Sequence, residues 1–422
     1  MYKFVIKGGK ELKGKVKISG SKNASLPIIF ASILTKEAQI KNVPNLRDTR
    51  TAVALLKDMG FETSFEENTL FVREGKEIKT EADYELVRTM RASILSLGPL
   101  LAKYGKAKVS LPGGCAIGAR PINLHLKALS KLGAELSIDH GYINASVKGR
   151  LKGTEIVFDK PTVGGTENVI MAAVLAKGKT VIKNAAKEPE IVDLASALKK
   201  AGAIIEGEGT DTIEITGVEE LSKIDYTVMP DRIEAGTFIS FVATAGGEIL
   251  IEDCPYDTIE AVVQKFEEAG LTIEKLNNVT IKVKKNGKLK ATDITTQVYP
   301  GFPTDMQAQF MAAMCLAEGV SIIKETIFEN RFQHVLELLR LGANITIDGN
   351  TAVVKGVDKL IGAKVMATDL RASASLVAAG LAAENTTEIY RIYHLERGYE
   401  NLEKKLQSLG ASIEKVKTEK PY

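Results

Sequence analysis

The 422-residue sequence is poor in cysteine, in long apolar runs and in net charge. Its three cysteines, Cys115, Cys254 and Cys315, are far apart and form neither a CxxC motif nor a cysteine–histidine cluster, so neither a disulfide framework nor a metal site is expected. The apolar runs are too short to span a bilayer, and the first twenty residues lack a signal peptide's apolar segment. We therefore expect a cytoplasmic protein without a membrane span.

The charge balance excludes a further class of partner. The 56 basic and 53 acidic residues give a net charge of +3, and the basic residues are not clustered. A nucleic-acid-binding surface needs a concentrated positive charge, so no nucleic-acid partner is expected.

The sequence contains six copies of one unit. In each copy an amphipathic helix ends at a glycine and an alternating strand follows. A second helix, apolar on nearly all sides and therefore predicted to be buried, begins each copy and leads into a short strand. The glycines lie at intervals of 73, 69, 68, 72 and 68 residues: Gly60, Gly133, Gly202, Gly270, Gly342 and Gly410. This regularity predicts repeats of about 70 residues.

The repeats predict an α/β fold of two domains with three repeats each, since the chain is longer than one core usually serves. The N-terminal segment FVIKGGKELKGKVKISGSKNAS resembles the segment 353–375, whereas the sixth copy stops soon after Ile413 without such a strand pair. The N-terminal strands are therefore predicted to complete the last copy. The domains become 21–229 and 1–20 plus 230–422, joined by two crossings.

The buried helices begin with side chains that burial alone would not select. These are Ser21, Lys22 and Asn23; Arg88 and Arg91; Thr166 and Glu167; Asp231, Arg232 and Glu234; Thr304 and Asp305; Asp369 and Arg371. Helix capping is an open interpretation for Thr166, Asp231 and Asp369. Capping does not explain the cations, because a positive charge at a helix N-terminus is unfavourable without compensation. A bound phosphate or carboxylate would compensate it.

The loops before the amphipathic helices carry a second equivalent set. Its members are Arg47 and Asp48; Cys115 and Arg120; Glu188 and Glu190; Asp253 and Asp257; Glu329 and Arg331; Glu396 and Arg397. Arginine dominates the basic positions although lysine is commoner in the chain, and arginine's planar fork suits carboxylates and phosphates. Both sets flank the same helix ends, so each domain is predicted to present a charged face, and two opposed faces would form a cleft for a polyanionic ligand.

Cys115 lies in the glycine-rich stretch LPGGCAIGARP, five residues before Arg120. A nearby arginine shifts a thiol toward its reactive thiolate, but no histidine adjoins Cys115 to act as a base. From the residues alone, a catalytic and a structural role are both open. Cys254 and Cys315 are predicted to be structural.

Six motifs, in order, carry a resemblance: SGSKNASLP, LPGGCAIGARP, YPGFPTDMQAQ, ENRF, TDLRASASL and ERGYENL. Together they resemble the UDP-N-acetylglucosamine 1-carboxyvinyltransferases, a family of enolpyruvyl transferases, over essentially the whole chain. The resemblance implies two inside-out α/β domains joined by a double hinge. It also implies the first committed step of peptidoglycan synthesis, in which the enolpyruvyl group of phosphoenolpyruvate passes to the 3'-hydroxyl of UDP-N-acetylglucosamine without a metal or cofactor.

The resemblance also implies roles for individual residues. Those implied for phosphoenolpyruvate are Lys22, Asn23, Arg120, Arg371 and Arg397. Those implied for the UDP-sugar are Arg91, Arg120, Pro121, Ile122, Asn123, Leu124, Lys160, Pro161, Thr162, Val163, Asp305 and Ile327. Asp305 matches the acceptor of the hydroxyl proton, Cys115 the donor of a proton to the methylene carbon, and Arg331 and Asp369 further polar active-site positions. Asn123 and Thr162 depart mildly from the pattern, which has aspartate and serine there in many members.

Two alternatives stay open from the sequence. A 5-enolpyruvylshikimate-3-phosphate synthase would share the architecture and the donor, but that family does not use the Cys115 loop. A non-catalytic clamp for a polyanion would be expected to carry basic residues in all six copies, whereas the third and fourth carry mainly Glu and Asp.

Overall fold

The computed structural model describes residues 1–88, 90–111 and 122–418, and these residues form two compact units. The inserted unit contains the described residues between Gly20 and Met229. The terminal unit contains Met1–Ser19 together with residues 230–418. Each unit has its own hydrophobic core.

Helices occur throughout both units. The α-helices are Lys22–Ala31 (α1), Arg47–Asp58 (α2), Tyr84–Val87 (α3), Leu97–Tyr104 (α4), Asn123–Lys131 (α5), Val163–Ala173 (α6), Pro189–Lys200 (α7), Arg232–Ala245 (α8), Glu260–Glu268 (α9), Gln307–Met314 (α10), Val335–Arg340 (α11), Ser373–Ala382 (α12) and Leu402–Ser408 (α13). Short 3₁₀ turns occur at Ser32–Leu34, Arg91–Ser96, Tyr256–Thr258, Thr304–Met306 and Leu395–Arg397.

The strands of the inserted unit run from β3 to β14. They are Glu37–Lys41 (β3), Glu62–Glu66 (β4), Thr69–Arg73 (β5), Glu81–Ala82 (β6), Lys106–Ser110 (β7), Glu135–Asp139 (β8), Tyr142–Ser146 (β9), Glu155–Val157 (β10), Lys179–Lys183 (β11), Ile204–Glu206 (β12), Thr212–Thr216 (β13) and Ile224–Thr227 (β14).

The terminal unit holds the remaining strands. They are Tyr2–Lys7 (β1), Leu12–Lys17 (β2), Gly247–Glu252 (β15), Leu271–Asn277 (β16), Thr280–Lys285 (β17), Ile294–Thr295 (β18), Val320–Lys324 (β19), Asn344–Asp348 (β20), Thr351–Lys355 (β21), Lys364–Met366 (β22), Thr386–Tyr390 (β23) and Ser412–Lys417 (β24).

These strands form six four-stranded sheets with one topology. The inserted unit has the orders β14-β3-β5-β4, β6-β7-β9-β8 and β10-β11-β13-β12. The terminal unit has β2-β15-β17-β16, β18-β19-β21-β20 and β22-β23-β1-β24. In every sheet the first strand pairs parallel with the second, and the other pairs are antiparallel. The predicted sixfold repeat of an α/β unit is therefore confirmed.

The repeat glycines end the amphipathic helices in one backbone conformation. All six have φ between 89° and 108°, a left-handed region in which a Cβ atom is strained. After Gly60 the amide of Phe61 donates to the carbonyl of Leu56, and the equivalent bond recurs after Gly133. This is the Schellman arrangement, in which glycine lets the chain turn from helix to strand.

The helices that begin each copy are buried, as their composition predicts. In α8, for example, 13 of 14 residues are buried. In the terminal unit α8, α10 and α12 pack against one another, and in the inserted unit α4 packs against α6. With 14 residues, α8 is the longest described helix, and no helix in this part of the chain has the length and apolar character needed to cross a membrane.

The two N-terminal strands enter different sheets. Strand β1 pairs antiparallel with β23 and β24, in the sheet of the last copy. Strand β2 instead pairs parallel with β15, in the sheet of the fourth copy. The sequence interpretation that placed both strands in the last copy is therefore wrong for β2. In this way the chain's first strands complete two sheets of the terminal unit.

Candidate active site

Lys22 in the inserted unit has a carboxylate partner within the chain. It is the first residue of α1, whose N-cap Ser21 accepts a hydrogen bond from the amide of Ala24 at 3.2 Å. The Nζ atom of Lys22 lies 3.1 Å from Oδ2 of Asp48, in the first turn of α2, and both side chains are buried. The sequence predicts a bound anion beside Lys22, but Asp48 already supplies a negative charge there.

Three predicted UDP-sugar segments of the inserted unit meet around His125. This histidine is only 7% exposed, and its Nδ1 atom lies 3.0 Å from Nδ2 of Asn168 in α6. An amide nitrogen can only donate, so Nδ1 accepts. A Cβ atom on Gly164 would come within 3.2 Å of the His125 ring, which places the ring against the start of α6. The charge of Arg91 also acts on this ring.

The predicted sugar-contact residues lie on the starts of these elements. Arg91 is half-buried and begins a 3₁₀ turn, and Leu124 is buried in the first turn of α5. Thr162 caps α6, where its Oγ1 atom accepts from the amide of Gly165 at 3.3 Å. The remaining members are half-buried or exposed: Ile122, Asn123, Lys160, Pro161 and Val163.

Burial and the neighbouring charge of Arg91 lower the pKa of His125 from 6.5 to about 4. The unfolded chain therefore binds a proton between these values that the folded chain does not, so this site's contribution to stability is lost as the pH falls below 6.5. We expect His125→Gln to reduce the loss of unfolding free energy between pH 7 and pH 5 by about 2 kcal/mol. Urea unfolding at pH 7 and at pH 5 measures this loss of unfolding free energy in the variant and in the wild-type protein.

The control for this prediction is His140→Gln, since the side chain of His140 is 92% exposed. His334 is fully buried, and its pKa is likewise lowered to about 4, so both variants keep that second acid-sensitive site. If His125→Gln and His140→Gln lose stability equally with acid, the assignment to His125 is wrong.

The terminal unit brings Asp305, Arg331 and Arg371 together. Arg331 donates to Oδ1 of Asp305 at 2.8 Å, and Nε of Arg371 lies 3.7 Å from Oδ2. Arg371 also donates to Oδ2 of Asp231 at 3.3 Å. The arginines are only 2–5% exposed at their side chains, whereas Asp305 retains 25%. The cluster therefore offers a partly accessible carboxylate beside two buried cations.

The carboxylates keep both arginines charged despite their burial. Burial alone would lower the pKa of Arg331, but the charges of Asp305, Asp369 and Glu325 outweigh it and hold the pKa above its ordinary value. For Arg371 the carboxylates of Asp231 and Asp305 likewise outweigh burial. These internal charges, rather than a bound anion alone, compensate the cations at the helix starts.

Two aspartates of the terminal unit cap a helix start or the turn just before one. Asp231 accepts from the amides of Ile233 and Glu234 at 2.9 and 3.0 Å, at the start of α8. Asp369 accepts from two amides just before α12, at 2.8 Å each. The capping interpretation is therefore right for Asp231, whereas Asp369 caps the turn just before α12, whose own N-cap residue is Ala372. It is wrong for Thr166, which lies within α6 and accepts from the amide of Ala186.

A buried tyrosine that sequence reasoning missed supports Arg371. The ring of Tyr399 lies 5.3 Å from the guanidinium carbon of Arg371, and its hydroxyl is 2.9 Å from Oγ1 of Thr237. Arg371 also donates to the carbonyl of Gly398, which follows the half-buried Arg397. The motif ERGYENL contains this tyrosine, but no spacing distinguished it from a core residue.

The other predicted site residues are placed as follows. Asn23 is half-buried in the first turn of α1, and Ile327 is half-buried with its amide bonded to Glu325. Cys115, Arg120 and Pro121 lie outside the described residues. Among the described residues, no group of three or more His, Cys, Asp or Glu side chains is placed to hold a metal ion.

Comparison with known proteins identifies relatives over the whole chain. Residues 6–406 match the family described as EPSP synthase (3-phosphoshikimate 1-carboxyvinyltransferase). Proteins named UDP-N-acetylglucosamine 1-carboxyvinyltransferase are similar: that of Geotalea uraniireducens is 58% identical, covering 99% of this chain and 100% of its own. That of Nitratidesulfovibrio vulgaris is 56% identical, covering 98% and 99%.

Solved structures share the fold at lower sequence identity. The enolpyruvyl transferase NikO from Streptomyces tendae superposes with a TM-score of 0.88 at 24% identity, over 98% of this chain and 99% of its own. An EPSP synthase from Acinetobacter baumannii gives 0.76 at 18% identity, over 99% and 100%. The predicted fold class of enolpyruvyl transferases is thus confirmed, and the chain belongs to the EPSP synthase family of carboxyvinyltransferases.

Proposed function

We propose that this protein transfers the enolpyruvyl group of phosphoenolpyruvate to the 3'-hydroxyl of UDP-N-acetylglucosamine and releases phosphate, as the first committed step of peptidoglycan synthesis in the cytoplasm. The observation that carries the proposal is the 55–58% identity, over nearly the full length, with proteins named for that reaction. Membership of an enzyme family argues against a non-catalytic clamp.

The arrangement around Asp305 suits the first half of this reaction. The sugar hydroxyl adds to C2 of phosphoenolpyruvate, and Asp305, the partly exposed carboxylate of its cluster, takes the hydroxyl proton. The methylene carbon, C3, receives a proton from Cys115. The product of both steps is a tetrahedral ketal that still carries the phosphate.

The second half reverses the proton flow. The thiolate of Cys115 left by the first half takes a proton back from the methyl carbon, the C2–O bond to phosphate breaks, and the C2–C3 double bond forms again. Asp305 gives its proton to the departing phosphate. Phosphate leaves by C–O cleavage, so no phosphoryl group is transferred. Cationic side chains bind the anionic donor and the departing phosphate, a role proposed for Lys22, Arg120, Arg371 and Arg397.

The UDP-sugar is proposed to bind to residues that begin α5 and α6, together with Arg91 and Ile327. Backbone N–H groups at helix starts favour phosphates, and Thr162 already fixes the first turn of α6.

The experiment that tests the proposed function is a phosphate-release assay with phosphoenolpyruvate and each of two acceptors. UDP-N-acetylglucosamine should support turnover, and shikimate 3-phosphate should not. The second acceptor is a real competitor because the matched family bears the name of the shikimate enzyme, although the solved EPSP synthase is only 18% identical. Turnover with shikimate 3-phosphate alone would contradict the proposal.

Arg397→Ala is expected to weaken phosphoenolpyruvate binding selectively. The variant loses a charge-assisted hydrogen bond to the donor, so KM for phosphoenolpyruvate should rise by about tenfold or more while KM for the UDP-sugar changes less than about threefold. Steady-state kinetics with each substrate varied in turn measures both. Arg340→Ala, which removes an arginine that is 59% exposed in the same unit, is the control for lost charge. An equal loss for both substrates would contradict the role of Arg397.

A further inference from the structure

Glu325 lies directly after the second strand of its sheet, a position that holds an asparagine in two other copies. Asn42 follows β3 and Asn184 follows β11, both with left-handed φ, of 58° and 55°. Each amide donates at 2.9 Å to the carbonyl just beyond the parallel edge strand of its sheet, that of Val228 or Phe158. Glu325 follows β19 at the equivalent place, so the fifth copy carries a negative charge where the first and third copies carry a neutral amide.

The carboxylate of Glu325 binds donors from two separate segments. Its Oε1 atom accepts from Oγ1 of Thr296, beyond the edge strand β18, at 2.8 Å, and from the amides of Ile327 and Phe328 at 2.8 and 3.2 Å. Its Oε2 atom accepts from Oγ1 of Thr304 at 2.9 Å. The residue is 3% exposed. This one buried carboxylate therefore provides acceptors for the polar hydrogens of both segments.

The two segments carry the two members of the Asp305–Arg331 pair. Thr304 directly precedes Asp305, and the loop through Ile327 leads to Arg331. Gln307, on the turn after Asp305, donates to Oε2 of Glu325 at 3.5 Å and to the carbonyl of Arg331 at 3.4 Å. Glu325 therefore bonds both the segment that carries Asp305 and the loop that leads to Arg331, the two residues that make the 2.8 Å contact.

We infer that Glu325 is a positioning residue, which holds Asp305 for proton transfer and Ile327 for the UDP-sugar. The inference rests on the proposed function for its kinetic part. A neutral glutamine has only one acceptor atom at its end. If that oxygen stays with the amides of Ile327 and Phe328, the NH2 group replaces Oε2 and faces the side-chain NH2 of Gln307, which can only donate. The variant also loses the negative charge that acts on Arg331.

Glu325→Gln tests the inference because it keeps the shape and replaces one acceptor. We expect kcat/KM for UDP-N-acetylglucosamine to fall about tenfold or more, with a fall in kcat, whereas the affinity for phosphoenolpyruvate changes less than about threefold. Hydrogen exchange at the amides of Ile327 and Phe328 should be about tenfold faster in Glu325→Ala, which removes both acceptor oxygens, and this readout does not depend on activity.

The control variant is Glu337→Gln in the same unit. Glu337 is 9% exposed and accepts from the amide of Met366 at 2.9 Å, a contact that involves neither Asp305 nor Arg331. Unchanged kinetics in Glu325→Gln, or an equal kinetic loss in Glu337→Gln, would overturn the inference. If the wild-type protein shows no turnover, the proposed function is contradicted. The exchange rates of the amides of Ile327 and Phe328 then test the role of Glu325 on their own. Faster exchange in Glu325→Ala supports the inference that Glu325 fixes this loop, and unchanged exchange refutes it.

Discussion

Fosfomycin, an epoxide phosphonate, is expected to attach to Cys115 and to leave Cys254 and Cys315 unmodified. A thiolate opens the epoxide by forming a sulfur–carbon bond as the ring carbon–oxygen bond breaks, so the protein gains the mass of one whole reagent molecule. Intact-mass analysis followed by peptide mapping locates the label. A label on either of the other cysteines would contradict the assignment of Cys115.

The large expected selectivity follows from the surroundings of the two described thiols. Cys254 is 1% exposed and Cys315 fully buried, and burial raises the pKa of each to about 12. At pH 7.5 such a thiol is ionised to only about one part in 30,000, and only the thiolate reacts. Cys254→Ser should therefore keep full labelling, whereas Cys115→Ser should abolish it.

The repeat could be predicted from the sequence because each copy depends on local chemistry. A glycine is needed wherever the chain leaves a helix with φ near 90–108°, so the six repeat glycines mark structurally equivalent points. The pairing of β2 with β15 could not be predicted in the same way. Strand partners are set by contacts between distant residues, and the alternating pattern of β2 suits the sheet of the last copy equally well.

The sequence singled out the cations at the helix starts, but it did not identify their partners. Lys22 and Arg371 stand where a helix dipole disfavours a cation, which the sequence shows. Their carboxylate partners come from other elements: Asp48 from the start of α2 and Asp231 from the cap of α8. Spacing along the chain does not reveal such pairs, so the sequence favoured a bound anion more strongly than the structure requires.

The residues missed by the sequence share a different property. His125, Tyr399 and Glu325 are single buried polar side chains on elements whose patterns are otherwise ordinary. Each contributes through contacts with two or more segments that are remote in the chain, such as the contact of His125 with Asn168. A lone polar residue on a helix or strand corner carries no periodic signal, so only the tertiary structure identifies it.

Asp305→Asn is expected to lower kcat by about 10²- to 10⁴-fold, because the variant lacks the group proposed to accept the hydroxyl proton. The amide oxygen of asparagine can still accept the hydrogen bond from Arg331, which lies 2.8 Å from Asp305. The nearby charges of Asp369 and Glu325 also remain for Arg331, and Asp231 remains for Arg371. The fold should therefore persist while the chemical step is slowed.

Single-turnover measurement of ketal and product formation separates this effect from binding, and far-UV circular dichroism checks the fold. The control is Asp257→Asn, in the same unit: Asp257 also pairs with a cation, Lys275, at 2.8 Å, but its side chain is 76% exposed. Removing that carboxylate should leave kcat within about twofold, since an exposed ion pair contributes little. If Asp305→Asn keeps most of its kcat and only KM for the UDP-sugar rises, Asp305 binds the sugar without taking its proton, and another group must serve as the base.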